Sequence, residues 1–150
     1  MLDFLWHLRG SVPLDGIATN EAALDRLELL LEQQRKPTTE RDANYLAFDA
    51  PLWSDLFGPN WRAMVIYDQG RLWIDQGLGG RILRYDLRSL HGFVFCLFGA
   101  AMFFAFGLAD GGLVGGLKLA ALAFGWLYGM NMLLAWTRIP SLISRAVRNA

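Results

Sequence analysis

Tyr85, Asp86 and His91 stand close together, just before and at the start of a long apolar run. A phenol, a carboxylate and an imidazole at that place are what a small enzyme acting on lipid would use as nucleophile or general base. They form no recognised catalytic spacing. His91 raises a second chemistry, because a histidine in an apolar helix can ligate haem iron or a pigment magnesium. The one other histidine is His7, and nothing in the sequence brings the two together. His91 is therefore expected as an interfacial histidine, hydrogen-bonded or facing headgroups. The carboxylates Asp42, Asp49, Asp55, Asp68, Asp75 and Asp86 are scattered over turns and strands. Asp75 and Asp86 are expected to pair with Arg71, Arg81, Arg84 or Arg88 as a structural ion network across a sheet.

Other motifs do not add an active site. The sequence holds no GxSxG and no HExxH, and the GLGG at 77–80 lacks the lysine of a phosphate loop. Cys96 is the single cysteine, which excludes an internal disulfide and a cysteine-based zinc site. No catalytic residue, cofactor or metal is expected.

The elements that must position these residues begin with two uncharged runs. Leu90 to Leu108 and Leu119 to Thr137 each span 19 positions. At ~1.5 Å per residue each makes about 28 Å of helix, close to the ~30 Å core of a bilayer. Phenylalanines at 93, 95, 98, 103, 104 and 106 surround the first run on all sides. Between the runs lies ADGGLVGGLK, a poor helix interior and a good turn. The pattern predicts a transmembrane hairpin. Arg81, Arg84 and Arg88 precede it, Arg138, Arg145 and Arg148 follow it, and the loop carries Asp110 and Lys118. The positive-inside rule then puts both ends in the cytoplasm of a bacterial-type inner membrane, with two spans. The start of the sequence, with Asp3 and no basic leader, does not read as a signal peptide.

Residues 1–88 are read as a cytoplasmic α+β region, 89–137 as the hairpin and 138–150 as a basic amphipathic tail. The first carries 10 basic and 13 acidic side chains; the remainder is net positive, so the zero overall charge hides an asymmetry. Neither part has the clustered positive footprint that nucleic acid demands. Met1–Leu8 is expected as an interfacial helix or a packed terminus. Thr19 or Asn20 caps a helix over EAALDRLELLLEQQRK, with Glu21 in its first turn and Arg35 and Lys36 in its last. Leu24, Leu27, Leu30 and Leu31 make its apolar face. KPTTERD reads as a linker, and Tyr45–Phe57 as a short strand followed by a turn of helix at Pro51.

AMVIY and RLWID flank Asp68-Gln69-Gly70, a hairpin turn with Gly70 at positive φ. GLGG gives another turn and RILRYDL a third strand, completing a short antiparallel meander over the leucine helix. Over residues 62–90 this resembles the small pleckstrin-homology-like domains of some bacterial membrane proteins. The resemblance implies a binding or scaffolding module and not an enzyme.

Two further groups are candidates for contact. Ala121, Gly125 and Gly129 form a small-residue face for close helix approach, against either the first run or a foreign helix. Asn131 is an amide in an apolar run that needs a partner such as Cys96 or another helix. RIPSLISRAVRNA predicts a short helix on the inner leaflet, with Leu142, Ile143, Ala146 and Val147 on one face. His91, Trp136, Arg138, Arg145 and Arg148 would mark the membrane interface, the arginines attracting anionic lipid headgroups. The expected function is a non-catalytic accessory or assembly subunit of a larger inner-membrane complex, bound to integral membrane subunits, with a homo-oligomer as an option. The second reading is a membrane-anchored adaptor or regulator of a soluble partner or lipid headgroups. Trp53, Trp61 and Trp73 are aromatic contact candidates.

Overall fold

The computed structural model describes residues 5–17, 19–51 and 63–148. The order is β1 (His7–Pro13), α1 (Asn20–Gln33), β2 (Thr38–Asp42), β3 (Tyr45–Asp49), β4 (Gln69–Gly77), β5 (Gly80–Arg88) and α2 (Leu90–Arg148). The strands form one open antiparallel sheet in the order β1-β5-β4-β3-β2.

α1 forms where the leucine spacing predicts it. The Thr19 hydroxyl accepts a hydrogen bond from Ala22 N at 3.1 Å, and Glu21 sits in the first turn. Ala23, Leu24, Leu27, Leu30 and Leu31 are buried. The end is tighter than expected. Lys36 N donates to Leu31 O at 2.8 Å and Arg35 N to Glu32 O at 2.9 Å, a Schellman pattern with Arg35 at φ 55. Arg35 and Lys36 thus lie beyond the helix. Lys36 is buried, and its Nζ donates to Tyr67 O at 2.7 Å.

The sheet turns one face to this helix. Leu8, Val12, Leu46, Phe48, Leu72, Leu83, Tyr85 and Leu87 alternate inward and are buried. Two inward positions are glycines for a steric reason. Gly10 pairs with Tyr85 and Gly70 with Phe48, and a Cβ at either would run into the facing aromatic ring. The third layer of the core is the far end of α2. Ala135, Ile139, Ile143 and Val147, spaced by four, are buried against the same cluster.

Several sequence expectations are corrected. The meander of three strands is a five-stranded sheet. β1 takes His7 and Leu8 from the segment expected as an interfacial helix or a packed terminus, of which residues 1–4 lie outside the described residues. The KPTTERD linker contains β2, whose residues pair with β3. The strand expected at AMVIY is a turn at 63–66, and Gln69 and Gly70 lie in β4, so no hairpin turn forms there. The turn is at GLGG, with Gly80 at φ 124. Trp53, Trp61 and the turn of helix after Pro51 lie outside the described residues.

The transmembrane hairpin is also overturned, and with it the multi-pass inner-membrane placement with two spans and cytoplasmic ends. Both apolar runs belong to the single element α2, which is kinked at Gly112 with no separate loop between the runs. One helix, α2, is long and apolar enough to cross a membrane, with a mean hydropathy of 2.2 and 22% of its most apolar window buried. That is weak evidence for one span. The expected boundary at Thr137 is absent, because α2 continues through Pro140 into the core of the sheet layer. Ile143 and Val147, assigned to a leaflet-bound tail, are fully buried there. Among the described residues no separate interfacial helix follows Thr137.

Candidate functional site

The feature that stands out is the part of α2 that projects from the sheet. Its root is fixed by a buried carboxylate. Asp68 Oδ2 accepts from Arg88 Nε at 2.7 Å and pairs with Nη2 at 2.5 Å, while Oδ1 accepts from Leu90 N at 2.8 Å. Asp68 thus ties the last residue of β5 to the first N–H of α2. Ser89 adds a second tie: its N–H and Oγ both donate to Trp6 O, at 2.6 and 3.1 Å.

Within α2 the backbone leaves helical geometry at Gly112, with φ 61 and ψ −161, and the chain doubles back. The Phe93 ring stands edge-on to Trp6, Phe124 and Tyr128 with centroids 5.8, 5.5 and 5.6 Å away. The Tyr128 hydroxyl donates to Leu5 O. Near the bend the backbones touch: a Cβ on Gly107 would meet Gly115 O at 2.8 Å, and one on Gly116 would meet Phe104 at 2.9 Å. These glycines, and Gly99 against Leu127, make the close approach.

The expected packing residues sit elsewhere. Gly125 and Gly129 face open space, with nothing within 4 Å of a Cβ built on either, and Ala121 is exposed. They do not pack on the earlier half of α2. Asn131 does reach Cys96, with Nδ2 3.8 Å from Sγ, and it also donates to Leu127 O at 2.8 Å. Around this arm, large apolar side chains lie open. Phe95, Phe98, Phe106, Leu113, Leu122 and Trp126 are each about two-thirds exposed or more, Leu122 reaching 72%. A soluble monomer rarely exposes so wide an apolar patch.

The expected interface residues divide. Trp136, Arg138, Arg145 and Arg148 are exposed. His91 is half-buried at the root, and its Nε2 is enclosed with no hydrogen-bond partner among the described residues. His7 is engaged by Asp86, Nδ1 to Oδ1 at 2.6 Å, and Arg9 Nε donates to Asp86 Oδ2 at 2.9 Å. Asp75 pairs with Arg84 at 3.3 Å, as the sheet register allows. Arg81 instead donates to Asn20 Oδ1 at 2.9 Å and to Ile17 O. The outer face of α1 is occupied by Arg41, which bridges Asp25 and Glu28; the hydrogen bond to Asp25 raises its pKa.

Burial raises the phenol pKa of Tyr67 and of Tyr85 above the usual tyrosine value. Tyr67 Oη has no hydrogen-bond partner among the described residues. Among those residues no three His, Cys, Asp or Glu side chains gather as metal ligands. Sequence reasoning missed Asp68, which it placed in a turn. The signal was an aspartate followed, after one two-stranded hairpin, by Arg88 at the mouth of a helix.

No family model matches the chain, and neither a curated protein nor a solved structure shows a significant match to it. The likeness of residues 62–90 to pleckstrin-homology-like domains rests on the hairpin of β4 and β5 alone.

Proposed function

We propose that the protein is a non-catalytic accessory subunit that stabilises or positions a larger membrane-protein complex. The sheet layer is the platform, and the projecting part of α2 packs against integral membrane subunits. The observation that supports this most is the apolar surface of the arm, from Phe95 to Trp126, held at its root by Asp68, Ser89 and the ring cluster around Phe93. Each exposed Leu or Phe gives about 1.5–3 kcal/mol when fully buried, so a partner that covers the arm is strongly favoured over water. The open Gly125 and Gly129 face offers a place for a foreign helix to approach closely. The exposed Arg138, Arg145 and Arg148 supply cations for anionic headgroups beside such a partner.

The adaptor reading has less support. The apolar face of α1, its natural docking surface, is consumed in the core. Native mass spectrometry after gentle release from the source cells tests the proposal. Co-purification with integral membrane subunits at a fixed ratio supports it. A chain that appears alone, or as a homo-oligomer, refutes it.

A further inference from the structure

Away from the arm, a groove of about 310 Å³ runs between α1 and the last turns of α2. Leu29, Leu30, Leu142 and Ala146 line it with apolar surface, and Arg26 and Arg145 are its two charged walls. No acidic side chain lines it. Leu29 is 56% exposed, an apolar side chain left open at the mouth.

The two guanidiniums are held but not neutralised. Arg26 Nη1 donates to Val147 O, and Arg145 donates to Ser141 Oγ through Nε at 3.3 Å and Nη2 at 2.8 Å. Neither has an ion-pair partner among the described residues. Each keeps donors free in the planar fork that suits phosphate or carboxylate oxygens. The groove therefore joins two features that call for different halves of one ligand. Its charge wants an anion, and its leucines want hydrocarbon.

We infer that this groove binds an anionic membrane lipid, with the phosphate head between Arg26 and Arg145 and the first part of an acyl chain over Leu29, Leu30 and Leu142. A free phosphate would leave the apolar surface bare. An acidic peptide would find no sheet edge here, because both walls are helices whose interior N–H groups are already bonded. The inference deepens the headgroup contact proposed for Arg145, but it needs no partner protein and does not use the apolar arm, so it can fail or hold independently of the accessory-subunit reading.

The test uses the full chain in an uncharged detergent, titrated calorimetrically with a short-chain phosphatidylglycerol and with its phosphatidylcholine counterpart. The expected result is one site that binds phosphatidylglycerol at least tenfold more tightly. Arg145→Gln should weaken that binding tenfold or more, and Arg145→Lys should retain part of it. Leu29→Glu, at a position more than half exposed, should abolish it. Leu29→Glu keeps the test decisive if Arg145→Gln fails to fold. Equal binding of the two lipids, or unchanged binding in Leu29→Glu, overturns the inference. So does inorganic phosphate binding as tightly as phosphatidylglycerol, which would show a bare anion site. An acidic peptide that displaces the lipid at lower concentration would also overturn it.

Discussion

Removing the Asp68 carboxylate tests how the arm is held. In Asp68→Ala the first N–H of α2 loses its acceptor, which costs about 1 kcal/mol by analogy with other helix caps. Arg88 loses a charge-assisted pair. Hydrogen bonds to charged groups contribute about 1.5–3 kcal/mol. Asp68 is 3% exposed but the Arg88 side chain is 32% exposed, so solvent screens part of that and the lower end applies. The sum is about 2.5 kcal/mol, a large part of the ~5–15 kcal/mol that holds an ordinary domain together. Asp68→Asn keeps an acceptor for Leu90 N and loses the charge, so it should cost roughly half as much, by the same hydrogen-bond scale. Urea unfolding in a fixed amount of uncharged detergent, followed by tryptophan fluorescence, gives both differences. A loss below about 0.5 kcal/mol in Asp68→Ala, the size of an ordinary surface substitution, would refute the reasoning. Equal losses in the two variants would show that the cap contributes nothing.

Arg35→Gly should raise stability by about 0.5–1 kcal/mol in the same assay, because glycine takes a positive φ without the Cβ penalty. Gly70→Ala should lower it by about 1–3 kcal/mol through overpacking against Phe48, and adding Phe48→Leu should recover part of the loss. Tyr67 and Tyr85 have folded pKa values raised above the ordinary 10.0, so their contribution is complete below pH 10 and is lost as the pH climbs through the raised values. In an ultraviolet titration, Tyr67→Phe and Tyr85→Phe should leave the absorbance step near pH 10 unchanged; a smaller step in either would show an ordinary phenol. Leucine at both 125 and 129 should leave the stability of the isolated chain within about 0.5 kcal/mol, as at other surface sites, while abolishing co-purification with membrane subunits. Unchanged co-purification would remove that face from the interface.

What could be read from the residues alone follows local chemistry. α1 was legible because its leucines keep one period and Thr19 offers a cap. RLWID, GLGG and RILRYDL were legible because strand alternation meets a glycine turn. β2 was not, since TTERD lies at an exposed edge and its charges look like a linker. Edge strands carry charge for that reason. Gly70 misled because a glycine two residues after an aspartate reads as a turn, whereas here it makes room for Phe48 on the neighbouring strand β3. The largest error was at Thr137. Ile139, Ile143 and Val147 sit among arginines with a proline, a pattern that fits an interfacial tail as well as a core helix. Only the sheet and α1 decide between them, and neither is local to those residues.

That last packing has a consequence for how the molecule is made. The platform cannot close its core until Ile139, Ile143 and Val147 have been synthesised, yet the projecting arm precedes them in the chain. During translation the apolar arm emerges while α1 and the sheet still lack a wall. Contacts between α1 and the end of α2 span more than a hundred residues, so they form late. The order of synthesis therefore exposes the arm before the platform that anchors it is complete, and the platform sets around an arm already made.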